Sequence, residues 1–153
     1  MYEDLLEQAR TLATLDAKKP KQLNLRRAVS SAYYAVFHFL VDEACRVQIG
    51  TQHGQAAYRQ VLGRAFVHTV MKQACASFRG GTLKDAVIKG LPLDSQGTYA
   101  IPKAIRDIAA TFVELQGKRH LADYDLTERF ERSDVLSLIQ QARNDVTKFS
   151  ELP

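Results

Sequence analysis

Arg119, His120, Asp123, Tyr124 and Asp125 fall within seven consecutive residues of a 153-residue chain, and their side chains suit phosphate chemistry. A guanidinium forks onto a phosphate, and an imidazole or phenol moves or donates a proton. Arg119 and Asp123 stand four residues apart, as do His120 and Tyr124, so a helix would set each pair side by side. The apolar stripe before them runs through Ile101, Ile105, Ile108, Phe112 and Leu115, and its next step lands on Arg119. A charge at a core position needs a partner, because burying it alone is costly. Two readings stay open. Either Arg119 pairs with Asp123 and staples the helix end to its neighbour, or Arg119 holds an anion while His120 or Tyr124 serves as acid or base.

Two further lines of residues could complete such a site. Arg27, Ser31, Tyr34, His38 and Asp42 step by four, three, four and four, which places them on one helix face. They form a solvated flank, or they face the Arg119 cluster across the bundle or across a dimer two-fold. Arg64, His68, Lys72 and Arg79 form a basic strip, with Cys75 among them, spanning about 80° of a helix. This strip is either a solvated face or a track for phosphates. The net charge of +4 is unevenly spread: residues 44–93 hold seven basic side chains and one acid, Asp85. A local field of that kind attracts polyanions.

Other chemistries find little footing. The four histidines (38, 53, 68 and 120) lack zinc-like spacing, so no metal site is expected. Gly80-Gly81-Thr82-Leu83-Lys84 lacks the Walker spacing and no strand precedes it. Gly-x-Ser-x-Gly is absent. Cys45 and Cys75 lie in helical apolar patterns and read as small core hydrophobes, not nucleophiles or a disulfide. No cofactor is expected. Met1-Tyr2-Glu3-Asp4 does not resemble a secretory signal, and no stretch approaches the ~18 apolar residues of a membrane span. The expectation is a soluble, cytoplasmic protein with no membrane partner.

The elements that must position these residues are helices. Apolar periodicity predicts helices over 2–16, 24–48, 54–78 (with a break at Gly63), 100–118 and 134–149. Asn24 and Ser133 are the expected N-caps. Val29, Tyr33, Val36, Phe37, Leu40, Ala44 and Val47 form the stripe of the longest helix. In 54–78, Leu62, Phe66, Val67, Val70, Met71, Ala74 and Phe78 form the apolar side, opposite the basic strip. Residues 79–99 are irregular, with one short turn expected at 83–89. No strand alternation appears. The expected fold is a single all-α domain over 1–153, an up-and-down bundle of four or five helices.

Two stretches carry a family resemblance. Leu25-Arg26-Arg27-Ala28-Val29-Ser30-Ser31-Ala32-Tyr33-Tyr34-Ala35-Val36-Phe37-His38 resembles the opening helix of a prokaryotic subgroup of the HEPN superfamily. Arg119-His120-Leu121-Ala122-Asp123-Tyr124-Asp125 is similar to that subgroup's Arg-x-x-Ala-Asp-Tyr-Asp signature. The resemblance spans about 24 to 149. It implies a dimerising bundle associated with RNA or nucleotides. In some members it implies a metal-independent endoribonuclease toxin neutralised by a nucleotidyltransferase-like partner. Active members carry Arg, four to six residues, then His. Counted from Arg119, those positions hold Tyr124, Asp125 and Leu126. The expectation is therefore a homodimeric RNA- or nucleotide-binding or regulatory module. It would use Arg119, Asp123, Arg27, Tyr34, His38, Arg64, His68, Lys72 and Arg79. The alternatives are an endoribonuclease working through Arg119 with His120 or Tyr124, and a protein-recruiting scaffold.

Overall fold

The computed structural model describes residues 1–79, 83, 85–90 and 101–153. Its central element is α2, Gln22–Ile49. Leu25, Val29, Tyr33, Val36 and Phe39 are at most 1% exposed. Each large side chain removed from water in this way is worth roughly 1.5–3 kcal/mol. Around α2 stand α1 (Tyr2–Thr14), α6 (Lys103–Tyr124) and α7 (Arg132–Ser150).

The packing pairs give the directions. α1 runs antiparallel to α2: the Tyr2 ring meets Phe39 at 5.1 Å, and Asn24 donates to Asp16 just beyond α1 at 2.8 Å. α6 is also antiparallel to α2, with Phe37 near Phe112 (6.4 Å) and Arg26 reaching the carbonyl of Ala122 (2.8 Å). α7 runs back along α6, joined by Thr111–Asp145 and Lys148–Asp107 contacts. It passes α1 at Arg143–Glu7 and lies diagonal to α2, where Phe149 meets Phe39 at 5.6 Å. The frame is an up-and-down four-helix bundle of α1, α2, α6 and α7, and no strand occurs among the described residues. Among those residues, no helix is long and apolar enough to cross a membrane.

Between α2 and α6 the chain makes a 3-10 turn (His53–Gln55), α3 (Ala56–Gly63), α4 (His68–Arg79) and the single turn α5 (Asp85–Ile88). α5 falls where one short turn was expected, while most of 79–99 lies outside the described residues. α3 packs on the C-terminal half of α2, and α4 packs on α6.

The break expected at Gly63 is present: α3 ends there, and Arg64–Val67 separate it from α4. At Gly63 α3 lies against side chains of α2: a Cβ there would lie 3.3 Å from Val41 Cγ1. The chain leaves α3 through i→i+3 bonds, from Arg64 N–H to the Val61 carbonyl and from Ala65 N–H to the Leu62 carbonyl. The break shifts the phase of the following helix. Val67 and Val70, expected on the apolar side, are exposed, whereas Met71 and Cys75 pack against the core. Other expectations also change. Val47 is exposed, because α2 extends past the bundle there. Neither Asn24 nor Ser133 caps a helix: α2 and α7 begin earlier, after Lys21 and Glu131, without side-chain caps. Asn24 instead binds Asp16, and Ser133 binds Asp134.

Among the described residues, Thr111 and Asp145 are buried polar side chains in the core. Thr111 donates to the Asp145 carboxylate at 2.7 Å and accepts from Gln141 at 2.7 Å, and Lys148 reaches the other Asp145 oxygen at 3.3 Å. Thr111→Val keeps the shape and removes the donor from a buried carboxylate. We expect it to lower stability by about 1–3 kcal/mol. A urea midpoint equal to wild type would show that the carboxylate does not need this donor.

Candidate functional site

α6 continues through Tyr124, so Arg119 lies on a helix and on the face turned to α2. Its guanidinium carbon stands 5.4 Å from the Tyr33 ring centroid and 5.5 Å from that of Tyr34. A cation over two aromatic faces is held by their quadrupoles. Arg119 Nε is 2.7 Å from Asp123 Oδ2, yet its N–H has no aligned acceptor. The pair is a close charge contact more than a directed hydrogen bond. Burial works against the Arg119 charge, but Tyr34 and Asp123 outweigh it and hold the guanidinium above its ordinary value. Asp123 Oδ1 accepts from Ser30 at 3.0 Å, which ties this end of α6 to α2.

His68, the first residue of α4, enters the same cluster. Its ring stacks on Phe37 with centroids 3.9 Å apart, and its Nδ1 lies 2.6 Å from the Tyr33 hydroxyl. Burial pushes the Tyr33 phenol up to about 12, partly offset by Arg119. Tyr33 therefore keeps its proton at neutral pH. Among the described residues that hydroxyl has no other partner, so it donates to Nδ1. Burial, then Arg119 and His38, lower the His68 pKa. His68 is then a neutral imidazole with its proton on Nε2. His38, also lowered by burial, stacks with Tyr34 at 6.3 Å. Gln116 donates to the His68 carbonyl at 3.4 Å.

The expected site residues therefore divide. Arg119, Asp123 and Tyr34 come together, and His38 borders them. His120 and Tyr124 pack on each other at 5.0 Å on the outer surface, where Tyr124 is 69% exposed. Neighbours along a helix point about 100° apart, so His120 does not face Arg119. Arg27 is exposed, and Asp42 pairs with Arg46 of its own helix at 3.0 Å. Arg64, Lys72 and Arg79 remain an exposed basic strip, while His68 leaves it for the cluster. Asp125 accepts from Thr127 and Glu128 and closes the turn after α6. Among the described residues, no three His, Cys, Asp or Glu side chains are grouped to hold a metal.

The sequence reading missed Tyr33, Ser30 and Arg26. Tyr33 carried a signal: a tyrosine on a core stripe needs a partner for its hydroxyl. Arg26 carried none. Its guanidinium donates to the carbonyls of Leu121 (3.3 Å), Ala122 (2.8 Å) and Glu128 (2.6 Å) and lies 5.7 Å from the Phe130 ring centroid.

The chain matches no family model, no curated protein and no solved structure.

The depressed histidines give a pH dependence with a definite sign. Below about 6.5 the unfolded chain protonates its histidines before the folded chain protonates His38 and His68, so stability falls as pH drops through that range. In an NMR titration we expect His68 below 6.5, with its pKa moving up in Arg119→Ala as a nearby positive charge is lost. A His68 pKa indifferent to Arg119 would contradict the coupling described above.

Proposed function

We propose that the chain is a HEPN-like helical module that binds RNA or nucleotides. It would act as a homodimeric binding or regulatory component of a toxin–antitoxin or nucleotidyltransferase-linked system. The observation that carries this reading is Arg119 laid over Tyr33 and Tyr34 beside Asp123. Tyr33 is buried beneath the cluster, while Arg119 and Tyr34 are partly exposed, which suits a phosphate at the guanidinium and a base at Tyr34. The family resemblance of the two motifs supports it. So do Lys72 and Arg79, exposed along α4.

A metal-independent endoribonuclease is the second reading. The 2′-hydroxyl would give up its proton and attack the adjacent phosphate, forming a 2′,3′-cyclic phosphate as the bond to the 5′-oxygen breaks and that oxygen takes up a proton, and Arg119 would stabilise the developing charge. It is favoured by one observation: a neutral imidazole, His68, shares the Tyr33 ring with Arg119. To act as general base, His68 would first have to release its Nδ1 from the Tyr33 hydroxyl. His120 and Tyr124, facing outward, would act only on RNA lying across that outer surface or in a cleft formed with a second protomer.

The two readings separate in a single set of assays. Purified wild type, Arg119→Ala and His68→Gln would be incubated with mixed cellular RNA in the presence of chelator. The binding reading expects intact RNA throughout, together with salt-dependent binding of a short single-stranded RNA by anisotropy. For Lys72→Ala/Arg79→Ala, the log–log salt slope should shrink by about 1.4, roughly 0.7 per phosphate contact. Cleavage by wild type that both single variants lose would move the conclusion to the ribonuclease. No RNA binding at any salt concentration would remove RNA from the proposal.

A further inference from the structure

The first turn of α4 is tied to the bundle through one residue. It follows the Arg64–Val67 turn, which is closed by i→i+3 bonds back to α3. Among the described residues, the polar ties from that first turn to the bundle are both made at His68. Its Nδ1 meets the Tyr33 hydroxyl at 2.6 Å, and its carbonyl accepts from Gln116 at 3.4 Å. Its ring also covers Phe37 at 3.9 Å, which leaves Phe37 only 7% exposed.

This seat fits a neutral imidazole. Tyr33 donates, so Nδ1 must offer a lone pair. A protonated imidazole carries N–H on both nitrogens. The phenol oxygen would then have to accept, and its own proton would face no acceptor among the described residues. The surrounding charges oppose protonation as well. From α6, Arg119 stands 5.4 Å from the same Tyr33 ring. From α2, His38 adds to the repulsion, while Tyr34 presents a ring edge at 6.0 Å. Arg59 of α3 and Arg64 of the turn line the same groove as His68. His68 is the first residue of α4, where the helix dipole is positive and disfavours a cation. Cys75, further along α4, is held neutral by burial, its thiol pushed up to about 11. The acids nearby are already engaged: Asp123 with Arg119 at 2.7 Å and Asp42 with Arg46 at 3.0 Å.

We propose that His68 is an acid-sensitive latch: neutral, it holds the first turn of α4 against α2, and protonated, it leaves the Tyr33–Phe37 layer so that α4 opens about the Arg64–Val67 turn. Opening removes the cover from Phe37 and gives the Tyr33 hydroxyl to water. Acid therefore loosens the aromatic layer that carries Arg119. The latch is a property of the fold and does not depend on what the Arg119 face binds.

The test is native-state amide exchange of the full chain, followed by NMR at about pH 7.5 and about pH 5.5, either side of the histidine range. The Met71 amide, bonded to the Val67 carbonyl at 3.0 Å, reports the first turn of α4. The Val36 amide, within α2 and fully buried, reports global unfolding. With intrinsic exchange rates divided out, Met71 protection should fall by up to about tenfold between the two pH values, because the released imidazole titrates at about 6.5 and the seated one lower. Val36 should stay far better protected than Met71 at both. His68→Gln keeps an acceptor for Tyr33 and has no proton to gain, so its Met71 protection should be flat with pH. His38→Gln should keep the wild-type fall. The latch is overturned if Met71 is unprotected in wild type at pH 7.5, if its protection does not fall with pH, or if it equals that of Val36 at pH 5.5. It is equally overturned if His68→Gln retains the fall or His38→Gln abolishes it. RNA binding enters none of these outcomes, so the latch and the proposed function stand or fall separately.

Discussion

A guanidinium set between two packed helices must be compensated within a few ångströms, or the layer cannot close around it. At the C-terminal end of α6 that compensation has three sources. The faces of Tyr33 and Tyr34 supply electron density, Asp123 supplies the opposite charge, and Ser30 holds Asp123 in position. Only the Asp123 carboxylate comes from the same helix as Arg119. The rest comes from α2, so the charge is also what fixes how these two helices meet. The aromatic character of α2 at 33 and 34 follows from this demand as much as from packing.

The same layer polarises its other side. Tyr33 passes the constraint on: its ring carries Arg119, and its hydroxyl, with no other acceptor among the described residues, fixes the tautomer of His68. A cation on one side therefore leaves a donor on the other, and the two faces of the layer share an appetite for negative charge. The exposed basic side chains Arg64, Lys72 and Arg79 extend that character over α4 and the turn before it.

Much of the frame was legible in the sequence. The stripe from Val29 to Phe37 marked α2 correctly because its periodicity is long and unbroken. Arg119 was visible as an anomaly in the stripe of α6, and its spacing to Asp123 foretold their pairing. What could not be read was the rotation of α4. Periodicity over 54–78 puts a break at Gly63 but keeps one phase on both sides of it, and the four-residue interruption after Gly63 resets that phase. His68 and Cys75 then turn inward and Val67 and Val70 turn outward. Gly63 itself marks the place of the break, but the length of the interruption depends on packing against the Val41 side chain, a contact between distant residues. Arg26 is a similar case, since its acceptors lie about a hundred positions along the chain.

Arg26 has a consequence of another kind. Apolar helices slide past one another at modest cost, because one layer of aliphatic side chains resembles the next. A bundle held by such contacts alone has near-equivalent packings offset by a turn. Two of the carbonyls that Arg26 grips, Ala122 at the end of α6 and Glu128 in the loop beyond it, have no equivalent one turn back, since a slip of about 5.4 Å into α6 would leave the guanidinium facing carbonyls already engaged within the helix. Arg26 therefore acts as a registration pin. It makes one alignment of α2 and α6 different in kind from its neighbours, and it delivers Arg119 opposite the two tyrosines and not one turn above or below them.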